Sequence, residues 1–519
     1  MRNIAKGILG NTFAQIFGKA GTAVLALFTV RILSTYFETS EFGDYGTIYE
    51  FLAFFGAVAD MGVYTLALRE MSKYEENRSE IYSSAFSLRL ILTTGAMMLS
   101  IVGAFLVPAY MGTLIPSGVI LAAVATFFVL MSGTVSVVLQ LFWKMRFYSH
   151  ALIAGKLITF LGIVLITQYW SRSSTTESFY AVLGMGILGS VFTFGMTFYL
   201  TEREIPLRFS MDTQKIWNLF TQSLPFGISM ILGTLYFRMG FLLLGFLLPR
   251  SQDGICTGDF CGDLESGKYY VAIRMMEVLL LLPLFFMNSV LPLLAKSIAD
   301  ASKRVPQILQ SSFLFLLALG LPMAGGGIML ASQLCSALAD KKLLTDSVLG
   351  IIGADTAFQI LCIPLFFSFL SSFFNYALIS YNRQNNVMWT NAVALGINFI
   401  SNLILIPQYG LLGAAISAVI SEAVVTALGW FFLSRKILFL PPLLPSFKIF
   451  IATGIMATGI FIFEKIIPVF LPSSVILLLM IGFATVLYLG SLFFLKFFTP
   501  EMKAILKKSN PQEEMVAGL

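Results

Sequence analysis

Charge is scarce in this chain: 12% of its 519 residues are Asp, Glu, Lys or Arg, against 57% that are hydrophobic. With a mean hydropathy of +0.86, that balance excludes a string of soluble domains, whose charged share is about 25%. Histidine occurs once, as His150 after WKMRFYS, and cysteine four times. Zinc catalysis and a serine–histidine triad therefore lack their parts, and no metal site, cofactor or enzymatic activity is expected. No GxxxxGK[ST] stretch is present, which argues against direct ATP drive. The GxGxxG match GMGILG, Gly184 to Gly189, lies inside an apolar run with no strand before it, so it reads as small residues at a helix–helix contact.

Apolar runs of about 20 residues are abundant, each long enough to cross a hydrocarbon core of roughly 30 Å as a helix. Fourteen are predicted, near 9–33, 46–68, 83–107, 117–142, 151–168, 178–200, 220–248, 269–291, 308–332, 350–379, 388–406, 411–433, 449–467 and 472–495. The runs are continuous, not alternating, which excludes a barrel and makes this an all-α polytopic membrane protein. The first run has no small-residue cleavage site behind it and reads as a retained helix. Lys and Arg near the span ends favour one side about threefold, which places the N- and C-termini in the cytoplasm. The net charge of +6 then faces anionic lipid, and no nucleic-acid partner is implied.

The chain repeats itself. NTFAQ at 11–15 returns as NLFTQ at 218–222, an offset of 207 that also lays Arg31 on Arg238, and EFGDY at 41–45 returns as ESGKY at 265–269, an offset of 224. The difference of 17 residues is an insertion in the outer loop that carries Cys256 and Cys261. Six spans separate the repeats, so the lobes share an orientation and a substrate site is expected between them near the midplane. The predicted organisation is a six-helix lobe over 1–207, a second over 208–434, an extra transmembrane pair over 435–498 after the Pro441, Pro442 and Pro445 linker, and a tail over 499–519. Cys256 and Cys261 are either a disulfide in an oxidising compartment or two free thiols.

The runs EFGDYGTIYEFLAFFGAVADMGVYTLALRE and NAVALGINFISNLILIPQYGLLGAAISAVISE, and the segment from Leu224 to Lys296 with YFR and GKYYVAIR, resemble the polysaccharide-transporter branch of the multidrug/oligosaccharidyl-lipid/polysaccharide exporter superfamily. The resemblance implies two six-helix bundles around a cavity. It further implies a flippase that moves undecaprenyl-diphosphate-linked oligosaccharide to the outer face of the bacterial inner membrane for O-antigen, capsule or exopolysaccharide synthesis. Membrane lipids, a polysaccharide polymerase and glycosyltransferases would be its partners. Many relatives carry an Asp two residues after the Arg of the seventh helix, where this chain has Gly240. The rival on the same fold is an ion-coupled multidrug exporter of organic cations, whose site should be acidic and aromatic.

Charged residues at bilayer depth cost about 2.5 to 3.5 kcal/mol each on insertion scales, so they are candidate functional groups. The cations are Lys19, Arg89, Lys156, Arg238 and Arg274; the acids are Glu50, Asp60, Glu277, Asp355 and Glu422. Arg238 lies about 15 Å from the outer end of its span, too deep to snorkel. Guanidinium groups match phosphate oxygens in bidentate geometry, so Arg238, Arg274, Lys19 and Arg89 are the expected binders of an anionic head group. Arg274 and Glu277 are three apart and can instead pair with each other. Lys156 and Arg89 enter about six residues from an inner end, within snorkelling reach. Asp60, Glu277 and Asp355 are candidates for an ion pair or for H+ or Na+ coupling, with Lys19 or Arg89 as the partner of Asp60.

Overall fold

The computed structural model describes residues 2–74, 76–170, 175–207, 212–251, 256, 259–346, 348, 350–437, 439–466 and 473–497. The tail expected over 499–519 lies outside them. Among the described residues, fourteen helical segments are long and apolar enough to cross a membrane, and they match the predicted spans in number and order.

The helices are α1 (Arg2–Tyr36), α2 (Thr39–Asp60), α3 (Val63–Lys73), α4 (Arg78–Leu106), α5 (Ile115–Leu141), α6 (Met145–Tyr169), α7 (Thr176–Glu202) and α8 (Thr213–Leu247). The second half holds α9 (Gly262–Ala299), α10 (Val305–Met329), the short α11 (Ala331–Leu338), α12 (Ala354–Ser380), α13 (Gln384–Tyr409), α14 (Leu411–Lys436), α15 (Leu443–Ile466) and α16 (Ser473–Phe494). Helix ends follow local chemistry. Asp212 caps α8 by accepting from the amides of Gln214 and Lys215, and Thr175 with Ser178 forms a reciprocal cap on α7.

One span departs from the sequence expectation of a single helix over 46–68. The chain breaks after Asp60, where Met61 and Gly62 both adopt left-handed backbone (φ 38° and 69°) before α3 resumes. The dipeptide Met-Gly sits in an otherwise apolar run, so hydropathy is blind to the break.

Two compact units emerge, and neither is a contiguous stretch of chain. Among the described residues, the first comprises those within 2–278, 338–357 and 391–421; the second comprises those within 279–337, 358–390 and 422–497. In the first unit small residues let backbones meet. A Cβ on Gly155 would lie 2.5 Å from the carbonyl oxygen of Gly189, and one on Gly189 would lie 2.4 Å from that of Gly155, so α6 and α7 cross at the GMGILG stretch. This is the packing role expected of it.

The two repeats meet each other in the same unit. A Cβ on Gly43 would lie 2.0 Å from the carbonyl oxygen of Asp263, and one on Gly267 would lie 2.7 Å from that of Thr39. Adding the 224-residue offset to Thr39 and Gly43 gives Asp263 and Gly267. The contact between α2 and α9 is thus reciprocal, as a pseudo-twofold relation requires. In the second unit Gly327 packs on Cys362 and Gly325 on Thr453, which makes the glycine run of α10 a tight contact. Toward the other end of α10, Phe313 joins an aromatic cluster with Phe373, Phe374 and Phe439.

Candidate functional site

Four charges converge at mid-span in the first unit. Glu50 lies in α2, Arg238 in α8, and Arg274 and Glu277 one turn apart on α9. Arg238 donates through Nη1 to Glu50 Oε2, and its Nη2 lies 3.4 Å from Glu277 Oε1. Arg274 donates through Nη2 to Glu50 Oε1 at 2.7 Å and through Nη1 to Glu277 Oε2 at 2.5 Å. Each carboxylate therefore touches both guanidiniums, and the quartet is electrically neutral.

The Glu50 side chain is 1% exposed, while Arg238 and Arg274 keep 18% and 23%. A lone carboxylate at that depth would be expensive, and two guanidiniums compensate it. The Arg274 guanidinium also stacks 4.6 Å from the Tyr270 ring centroid, and its Nε has no acceptor among the described residues. The Arg238–Glu277 contact is the longest of the four, and a guanidinium N–H at that separation can donate instead to a better-placed anionic oxygen.

A second ion pair sits at the α2 break. Arg89 on α4 reaches Asp60 Oδ1 at 2.5 Å and the Ala59 carbonyl at 2.9 Å. It satisfies both the acid and a carbonyl released where the helix ends. Arg89 is 4% exposed, so Asp60 and not water compensates its charge. Asp355 is placed elsewhere, in the first turn of α12, where its Oδ1 accepts from the Thr345 amide at 2.8 Å and the Thr345 hydroxyl at 2.6 Å.

Polar contacts tie one end of the first unit together. Arg250 pairs with Asp44, Lys342 donates to the Phe37 carbonyl, and Arg31 to that of Ala339. Glu265 accepts from Lys268 at 2.9 Å and from the Leu411 amide at 2.9 Å, capping α14. Cys256 and Cys261 form a disulfide, which decides between the two alternatives left open by their spacing.

The structure thus brings Arg238, Arg274 and Glu277 together, adds Glu50 to them, and sets Arg89 with Asp60 apart. Lys19 on α1 and Lys156 on α6 have no ion-pair or hydrogen-bond partner for their ammonium groups among the described residues. Glu50 had only one sequence signal, an acid near the middle of an apolar run, and nothing in the sequence pairs it with Arg238, 188 residues away.

A multi-pass helical protein with a reciprocal repeat and buried charges at mid-span has known counterparts. The chain belongs to the polysaccharide biosynthesis protein family, whose family model matches residues 8–298. Among curated proteins it is similar to the probable flippase AglR of Haloferax volcanii, 25% identical over 235 residues, which are 45% of this chain. That match spans about half, 48%, of the relative's length. The fold is that of the lipid II flippase MurJ in an inward closed conformation (TM-score 0.71, 15% identity, 93% of this chain and 97% of that one). It is shared with an inward-facing multidrug resistance MATE transporter (TM-score 0.60, 13% identity, 81% and 95%).

Proposed function

We propose that this protein is a flippase for lipid-linked oligosaccharide, carrying an undecaprenyl-diphosphate-type substrate from the cytoplasmic to the outer face of a bacterial inner membrane by alternating access. The observation that carries the reading is the mid-span quartet in a chain of the polysaccharide biosynthesis family. It offers two guanidiniums at the depth where an anionic head group must be handled while its lipid tail stays in the bilayer. A diphosphate oxygen arriving at Arg238 Nη2 displaces the 3.4 Å contact to Glu277 and leaves Glu50 holding both arginines in place. The likeness to AglR and MurJ, a probable flippase and a lipid II flippase by name, supports the same class of cargo.

The organic-cation exporter is the weaker reading. Such cargo needs an uncommitted carboxylate at depth, and in the first unit Glu50, Glu277 and Asp60 are each held by an arginine. The test is thermal unfolding of the purified full chain in detergent with undecaprenyl diphosphate or with lipophilic cations. A ligand at 100 times its Kd stabilises the folded state by about 2.7 kcal/mol. Stabilisation by the diphosphate that is lost in Arg238→Ala is expected; stabilisation by the cations alone overturns the proposal.

A further inference from the structure

The 17-residue insertion between α8 and α9 has no counterpart in the first repeat, so the pseudo-twofold scaffold does not require it. Its described residues build a cavity. Cys256, Asp259, Phe260 and Cys261 line one side of a space of about 290 Å³, which Glu265 and Lys268 on α9, the turn at 350–352 and Tyr409 at the end of α13 complete. That volume is close to the lower bound of about 300 Å³ for small-molecule sites. All of these residues belong to the first unit. Because α9 is the eighth span, its first residues face outward in the orientation that Lys and Arg favour. Glu265 precedes Arg274 by nine residues of α9, about 14 Å, so the cavity is separate from the mid-span quartet.

The polar groups that line it are unequally occupied. Both oxygens of Glu265 are used: Oε1 accepts from Lys268 Nζ at 2.9 Å and Oε2 from the Leu411 amide at 2.9 Å. Lys268 is 9% exposed, and an ammonium carries three N–H donors. Glu265 is its one partner among the described residues, which leaves two donors over. A buried donor without an acceptor is costly, and the cavity admits one. Asp259 is exposed, and its carboxylate has no partner among the described residues.

The apolar lining is aromatic at two places. Tyr409 is 49% exposed at the cavity. Gly410 follows it in left-handed backbone (φ 55°), and a Cβ there would lie 2.6 Å from the Phe260 ring, so only glycine lets Phe260 seat against the α13–α14 corner. Asp259 and Phe260 both fall inside the ring closed by the Cys256–Cys261 disulfide, which restricts them relative to α9. Aromatic faces for C–H bonds, a carboxylate that accepts from hydroxyls and an ammonium that donates to oxygen are together the means of recognising a pyranose. Two carboxylates, Asp259 and Glu265, stand against one ammonium, Lys268, and that balance disfavours an acidic sugar.

We propose that this cavity is an outer-face binding site for one neutral sugar ring of the transported glycan, with Tyr409 and Phe260 against its C–H face, Asp259 and Lys268 on its polar edge, and the disulfide holding the wall in place. The proposal rests on the flippase reading for the source of the sugar and adds a contact made only after the glycan reaches the outer side.

The experiment titrates glucose, galactose and N-acetylglucosamine, with glucuronate and galacturonate beside their parent sugars, into the full chain in a detergent without a sugar head group. Saturation-transfer NMR reads the binding. Wild type, Y409A, D259N, the C256S/C261S double variant and R238A are compared, each with a ligand-free unfolding temperature to show that it is folded. At least one neutral sugar should bind saturably and more tightly than its uronate. Y409A and D259N should weaken it about tenfold, the double variant should weaken it too, and R238A should bind as wild type does. Absence of saturable binding, uronates that bind as tightly as their parents, or affinity unchanged in both Y409A and D259N overturns the proposal. Failure of the sugars with undecaprenyl diphosphate still stabilising the chain through Arg238 removes the outer site and leaves the flippase reading standing. Sugar binding without any effect of the diphosphate overturns the flippase reading instead, and with it the glycan as the source of the sugar.

Discussion

Replacing Glu50 by Gln keeps the size of the side chain and removes the most buried charge of the quartet, leaving one carboxylate, Glu277, for two guanidiniums. Breaking a buried ion pair by removing one partner costs about 3 to 5 kcal/mol. Here the guanidiniums keep about a fifth of their exposure and Gln still accepts a hydrogen bond, so the expected loss is about 2 to 3 kcal/mol. The assay is thermal unfolding in detergent at a fixed scan rate, with E50Q, R274Q and the double variant beside wild type. E50Q should unfold several degrees lower. The double variant should be less destabilised than the two single losses added together, with a coupling of about 1 to 3 kcal/mol, because it removes one charge of each sign. Additivity within about 0.5 kcal/mol, or an E50Q variant as stable as wild type, would refute the neutral quartet as the unit that holds α2, α8 and α9 together.

Three further outcomes follow from the geometry. Gly43→Ala puts a Cβ 2.0 Å from the Asp263 carbonyl and should lower the unfolding temperature sharply. Gly95→Ala in α4, with nothing within 4 Å, should be neutral or stabilise by about 0.5 to 1 kcal/mol; equal effects at the two sites would contradict the close α2–α9 crossing. Arg89→Ala strands Asp60 and the Ala59 carbonyl and should destabilise by about 3 kcal/mol or more, with Asp60→Asn added to it recovering part of the loss. Cys256→Ser with Cys261→Ser opens a loop of sequence separation 5 and should cost about 2 kcal/mol on the chain-entropy account, visible as a lower unfolding temperature that reductant reproduces in wild type and does not change in the variant.

The sequence by itself determined the fourteen spans, the repeat and the identity of every charge at depth. Twenty apolar residues suffice to define a crossing, because the bilayer demands that each segment satisfy its own backbone. EFGDY and ESGKY announced the repeat whose copies then meet through Gly43 and Gly267. Partnership was decided only by tertiary structure. Arg238 could be assigned a depth from its span, but its carboxylates come from α2 and α9, and helix rotation leaves no trace in hydropathy. The left-handed turn at Met61 and Gly62 that brings Asp60 to Arg89 was likewise silent. An apolar span reads the same from every side until its neighbours cover one face of it.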